Sequence, residues 1–121
     1  MAKDKMDASF WTQQYCGKTA GFCFPVQKNW YFMSFGASAG ALWHIEVSSQ
    51  ELNNVGDGPL SVNLMAGTAE SVGGTDGQIV AQGGGIVGYK NQADGKHIEV
   101  RAPANLQTAV TYILAHITAS N

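Results

Sequence analysis

Apolar and polar positions alternate with a period of two through much of this chain. The clearest run is residues 41–47, where Ala41, Trp43, Ile45 and Val47 share one face and Leu42, His44 and Glu46 the other. That alternation belongs to a half-buried antiparallel strand, because successive side chains point to opposite faces. Residues 60–66 repeat it, with Leu60, Val62, Leu64 and Ala66 inward and Ser61, Asn63 and Met65 outward. Residues 97–102 do so again, with Ile98, Val100 and Ala102 inward and His97, Glu99 and Arg101 outward. In residues 30–37, Trp30, Phe32, Ser34 and Gly36 point one way and Tyr31, Met33, Phe35 and Ala37 the other. Both faces are bulky at the start, so this strand is expected to be covered on both sides there. Gly36 and Gly40 bracket Ala37, Ser38 and Ala39, and suit the corners of a hairpin loop. Trp43 is expected in the core, where its ring removes on the order of 150–250 Å² from water.

The remaining segments are less regular. Residues 6–15 predict a short helix capped by Asp7, with Phe10, Trp11 and Tyr15 inward. Residues 22–26 predict a short strand, placed at an edge because Pro25 cannot donate to a central ladder. Residues 48–59 and 67–77 are loops rich in small and polar residues. Residues 78–90 predict two short strands, or one strand bent at Gly83, Gly84 and Gly85. In residues 106–118, Leu106, Ala109, Val110, Ile113, Leu114 and Ile117 lie at helical spacing behind Asn105, a residue suited to a cap. Thr111, Tyr112, Ile113, Ile117 and Thr118 favour a strand instead. The strand reading is adopted because the rest of the chain is β. The expected fold is an all-β, antiparallel, sandwich-like domain of six to eight strands with a short N-terminal helix. The alternative is α+β, an antiparallel sheet with N- and C-terminal helices.

Composition narrows the class. The 121 residues fit one domain, 1–121, with residues 1–5 read as an added or mature N-terminal tail. Charged residues are only 13% against 45% hydrophobic, and fifteen glycines favour strands and turns. Net charge is −2 and no Lys/Arg cluster exists, which argues against a nucleic-acid surface. No apolar run approaches the roughly 20 residues that span a bilayer. Cys16 and Cys23 are the only cysteines, and their short spacing between Gly17 and Gly21 suits a disulfide loop. The other reading is two unpaired buried thiols in a cytosolic domain. A bridged pair with low charge points to export, to periplasm, cell surface or medium.

Four patterns have chemical form. Residues 36–40 match G-x-S-x-G around Ser38, but a strand follows where the hydrolase motif needs a helix. Gly83, Gly85 and Gly88 match the dinucleotide fingerprint, with Glu99 sixteen residues on, yet no crossover helix fits behind them. The tetrapeptide His-Ile-Glu-Val occurs at residues 44–47 and 97–100. Neighbouring strands would bring His44, Glu46, His97 and Glu99 together as metal ligands, with His116 able to join. The expectation is instead that the two strands lie in opposite sheets with these pairs facing apart. Trp30, Tyr31 and Tyr89 are the aromatic candidates for stacking on a sugar or a protein surface. The function expected is an exported, non-catalytic binding or protein-interaction module, such as the soluble part of an envelope or surface lipoprotein, with a protein or carbohydrate partner and no cofactor. The alternatives are a small metal-binding protein using the two His-x-Glu faces and a small serine hydrolase using Ser38.

Overall fold

A computed structural model describes residues 8–120. After a 3-10 turn at Ala8–Phe10 come β1 (Gln13–Gly17), β2 (Phe22–Val26), β3 (Tyr31–Ser34), β4 (Trp43–Ser48) and β5 (Leu60–Ala66). A second 3-10 turn, Ala69–Val72, precedes β6 (Ile79–Gln82), β7 (Gly85–Asn91) and β8 (Lys96–Ala102). A third, Ala104–Leu106, leads into the helix α1 (Gln107–Ala115), and β9 (Thr118–Ala119) closes the chain. The strands form two antiparallel sheets, a six-stranded one in the order β3-β4-β5-β8-β7-β6 and a three-stranded one in the order β1-β2-β9.

One face of the large sheet is apolar in the alternation read above. Ile45 and Val47 of β4, Leu60 and Val62 of β5, and Ile98 and Val100 of β8 are fully buried there. They share a core with Phe22, Phe24 and Val26 of β2 and with Ala109, Val110 and Ile113 of α1. Trp43 packs only partly into this core, and its Nε1–H donates to Ser34 Oγ at 2.7 Å. Residues 78–90 form the two-strand version of their alternatives, a β6–β7 hairpin turning at Gly83 and Gly84, both at positive φ.

Several expectations are corrected. In residues 6–15, Met6 and Asp7 lie outside the described residues, as does the 1–5 tail; the rest is a single 3-10 turn and then β1 rather than a helix. Pairing explains this: Cys16 faces Cys23 in register and is bonded to it, and Tyr15 stacks on Phe24 at 5.2 Å. Gln13 Nε2 further ties the segment down by donating to the carbonyls of Gln27 and Trp30. The strand expected at 106–118 is the helix α1, followed by the two-residue β9. Its apolar stripe lies on β7, β8 and β2. Gly88 allows the approach, since a Cβ there would come within 3.1 Å of Leu114 and 3.2 Å of Val110. Thr111, strand-preferring by itself, turns its hydroxyl back onto the Gln107 carbonyl. The chain is thus mostly β with a C-terminal helix. β2 is central, not an edge, yet β9 reaches only Phe22 and Cys23. Pro25 therefore has a ladder neighbour on one side alone, which is what its missing N–H requires.

Candidate functional site

The outer face of the large sheet collects the polar residues of the alternating strands. Across neighbouring strands, His44 lies opposite Asn63, which lies opposite Glu99, which lies opposite Tyr89. One row away, Met33, Glu46, Ser61, Arg101 and Val87 follow one another in the same way. The two His-Ile-Glu-Val strands are therefore in one sheet with only β5 between them, and the expectation of opposite sheets is corrected. β4 and β8 both pair antiparallel with β5, so they run parallel and present the same face.

Outward does not mean wet here. His44 and Glu46 are 5% and 2% exposed, His97 and Glu99 0% and 3%. His44 is hydrogen-bonded through Nε2 to Glu46 Oε2 and through Nδ1 to Asn63 Oδ1, both at 2.6 Å. His97 repeats the arrangement with Glu99 Oε2 at 2.7 Å and the Gly67 carbonyl at 2.8 Å. Asn63 couples the two pairs, because its Nδ2 donates to Ser61 Oγ and to the Glu99 carbonyl. The second glutamate is held from its other side by the Arg101 guanidinium. Both nitrogens of each imidazole are therefore engaged within the protein, and a metal would have to displace a partner from each ring. No group of three or more His, Cys, Asp or Glu side chains converges among the described residues.

Two loops make this face dry. The Glu46 carboxylate accepts the N–H groups of Gly56 and Gly58, each at 2.7 Å, which folds the 52–58 loop over β4. Burial pushes the Glu46 carboxyl up, but the two glycine N–H groups and His44 together outweigh it and hold the group below the usual carboxylate value. The turn at Ala69–Val72 covers the other half, with Ala69 packed on Val87 and Tyr89. This turn is pinned by Asn91, which accepts from Ala69 N–H and donates to Glu70.

The other sequence candidates separate. Ser38 sits in the β3–β4 loop between Gly36, Ala39 and Gly40, all at positive φ. Its Oγ is buried with no hydrogen-bond partner, so no imidazole is bonded to it. Gly83 and Gly84 turn a hairpin and Gly88 lies under α1, so the glycine fingerprint has no following helix. His116 stacks on Tyr112 at the end of α1, away from both histidine pairs. Trp30 and Tyr89 are 4% and 2% exposed and cannot present their rings at the surface, a correction that follows from Trp30 packing near Trp11 and Tyr89 lying under the Ala69 turn. Tyr31 is 49% exposed and remains a surface aromatic.

Residues not singled out as site candidates complete the surface. Met33 is exposed on the outer face beside Tyr31, Val80 lies on the same face of β6, and Leu42 is exposed just before the start of β4. Val55 and Val72 are exposed on the two covering loops. Strand parity was the sequence signal for Met33 and Val80; Val55 and Val72, on loops, had none. A separate cleft of about 400 Å³ lies at the end of the sheet, between Ser48, Gln50, Asp57 and Asn105. Its carboxylate is already occupied by the N–H groups of Asn53 and Asn54. No family model, no curated protein and no solved structure matches this chain.

Proposed function

We propose that the chain is an exported, non-catalytic interaction module that presents the outer face of its large sheet to a protein partner. One observation carries this. Among the described residues, the large apolar side chains that stay exposed are Tyr31, Met33 and Val80 on that face, Val55 and Val72 on loops folded over it, and Leu42 just before β4. Scattered apolar residues are ordinary, but a concentration on one side marks an interaction surface. The buried histidine–glutamate pairs then serve as a stiff polar layer beneath the contact surface, fixing the loops that carry Val55 and Val72. A protein is favoured over a carbohydrate because Tyr31 is the single exposed aromatic among the described residues and the other exposed large apolar side chains are not aromatic. Export is supported by the Cys16–Cys23 bond, which persists in oxidising compartments. No described helix is long and apolar enough to cross a membrane.

The test uses a photo-reactive amino acid placed at Met33 or Leu42, or at Gln107 on the opposite side, in cells that make the protein. A discrete adduct with another protein from the first two positions and none from Gln107 is expected. No adduct from the sheet face, or the same adducts from all three positions, would refute the binding surface. Thiol trapping in the same cells addresses export, since a pool with both cysteines reduced would exclude it.

A further inference from the structure

β3 is a terminal strand of the large sheet, and nothing among the described residues pairs with its outer edge. Phe35 N–H donates to the His44 carbonyl, in step with the register in which Tyr31 faces Ser48 and Met33 faces Glu46, while His44 N–H passes to the Gly36 carbonyl and ends the regular ladder there. Alternation along an antiparallel ladder then turns the backbone groups of Tyr31, Met33 and Phe35 towards β4, and those of Phe32 and Ser34 outward. Folded proteins commonly shield such an edge with lysine, proline, a bulge or a covering loop. Between Tyr31 and Ser34, β3 carries no lysine, proline or bulge, and residues 29–45 contain no Asp, Glu, Lys, Arg or Pro; a bulge follows only at Phe35 and Gly36, which together face His44. The other edge, β6, differs in carrying one exposed large apolar residue, Val80, where β3 carries Tyr31 and Met33.

We propose that β3 pairs antiparallel with β3 of a second copy of this chain, about a twofold axis passing beside Met33. This register uses every outward group of β3: Phe32 exchanges both backbone hydrogen bonds with Ser34 of the partner subunit, and the reverse. Met33 then faces Met33 of the partner subunit at a non-hydrogen-bonded position, with Cα atoms about 4.5 Å apart. Tyr31 falls opposite Phe35 of the partner subunit on the outer face, an aromatic cross-strand pair formed twice. The strand is neutral, so laying it on itself opposes no like charges. The contact is self-complementary and closes at two copies instead of growing into a filament. The two sheets join into one of twelve strands, and their outer faces become continuous. This pairing uses the edge and stands whether or not the outer face binds another protein.

The experiment uses the purified chain alone. Sedimentation velocity of the unaltered protein should show mass rising with concentration to that of two chains. Met33→Lys, which puts two ammonium groups across the axis, should sediment as one chain at every concentration. Met33→Cys should form an intermolecular disulfide under mild oxidation, with Cys16–Cys23 verified intact by peptide mapping. Tyr31→Cys should not, because the two copies of residue 31 lie four residues apart along the strands, roughly 13 Å and beyond disulfide reach. An unaltered protein that stays at one-chain mass up to millimolar concentration would overturn the proposal. So would cross-linking at position 31 equal to that at position 33.

Discussion

At the scale of single residues, Glu46 connects burial to pH. Its folded-state value is depressed, so its contribution to stability is fully present above the ordinary value near 4.5 and disappears as pH falls through the lower folded value. Glu46→Gln keeps the shape and removes the charge. It should cost about 1–3 kcal/mol at neutral pH, and the difference from the unaltered protein should shrink on acidification, read as urea midpoints from pH 7 to pH 3. A constant difference across that range would contradict the assignment. Trp43 belongs to the same scale. Because it is only partly covered, Trp43→Ala should cost about 3 kcal/mol, the low end for a tryptophan truncation. Trp43→Phe should lose about 1 kcal/mol, the net worth of the lost hydrogen bond to Ser34. Equal losses for the two in denaturant melts would show that packing contributes nothing. Alternation correctly put His44, Glu46, His97 and Glu99 on the face opposite Ile45 and Val100. It could not reveal that they are dry, because the loops that cover them are fixed by contacts 10 to 30 residues away in sequence.

At the scale of elements, the sheet strands were legible and the two flanking segments were not. β5 matches its expected bounds because Leu60, Val62 and Leu64 on one face are buried, which makes a register error costly. α1 was ambiguous because its β-branched residues weigh against its helical spacing. The spacing prevails since only a helix lays Ala109, Val110 and Ile113 together on the sheet. The close approach at Gly88 offers a check. Gly88→Val should overpack against Val110, Leu114 and Ile79 and cost about 1–3 kcal/mol. A variant as stable as the original in thermal melts would mean that the helix does not sit there. β1 was missed because pairing with β2 and the bond to Cys23 override its local pattern. Replacing both cysteines with alanine should remove about 2–3 kcal/mol, the chain-entropy value for so short a loop, measured as a lower urea midpoint.

At the scale of the whole molecule, the two layers have different origins in the sequence. The core follows from apolar periodicity, whereas the outer surface depends on loops that have no period to read. Gly58 gives a handle on that surface, because a Cβ there would meet Glu46 Cβ at 2.7 Å. Gly58→Ala should loosen the 52–58 loop and speed amide exchange at Gly56 and Gly58, leaving the β5 and β8 amides protected. Unchanged exchange at Gly56 would argue against Glu46 as the anchor. A last consequence follows from the parallel placement of β4 and β8. One sheet carries the same histidine–glutamate pair twice, staggered by two residues, since His44 is level with Glu99. The first copy is gripped by two backbone amides and the second by a guanidinium. Strand, spacing and side chains are identical, so the molecule contains its own control experiment. Any divergence between the two imidazole signals in one NMR spectrum reports what the surroundings add, with temperature, salt and fold cancelled by design.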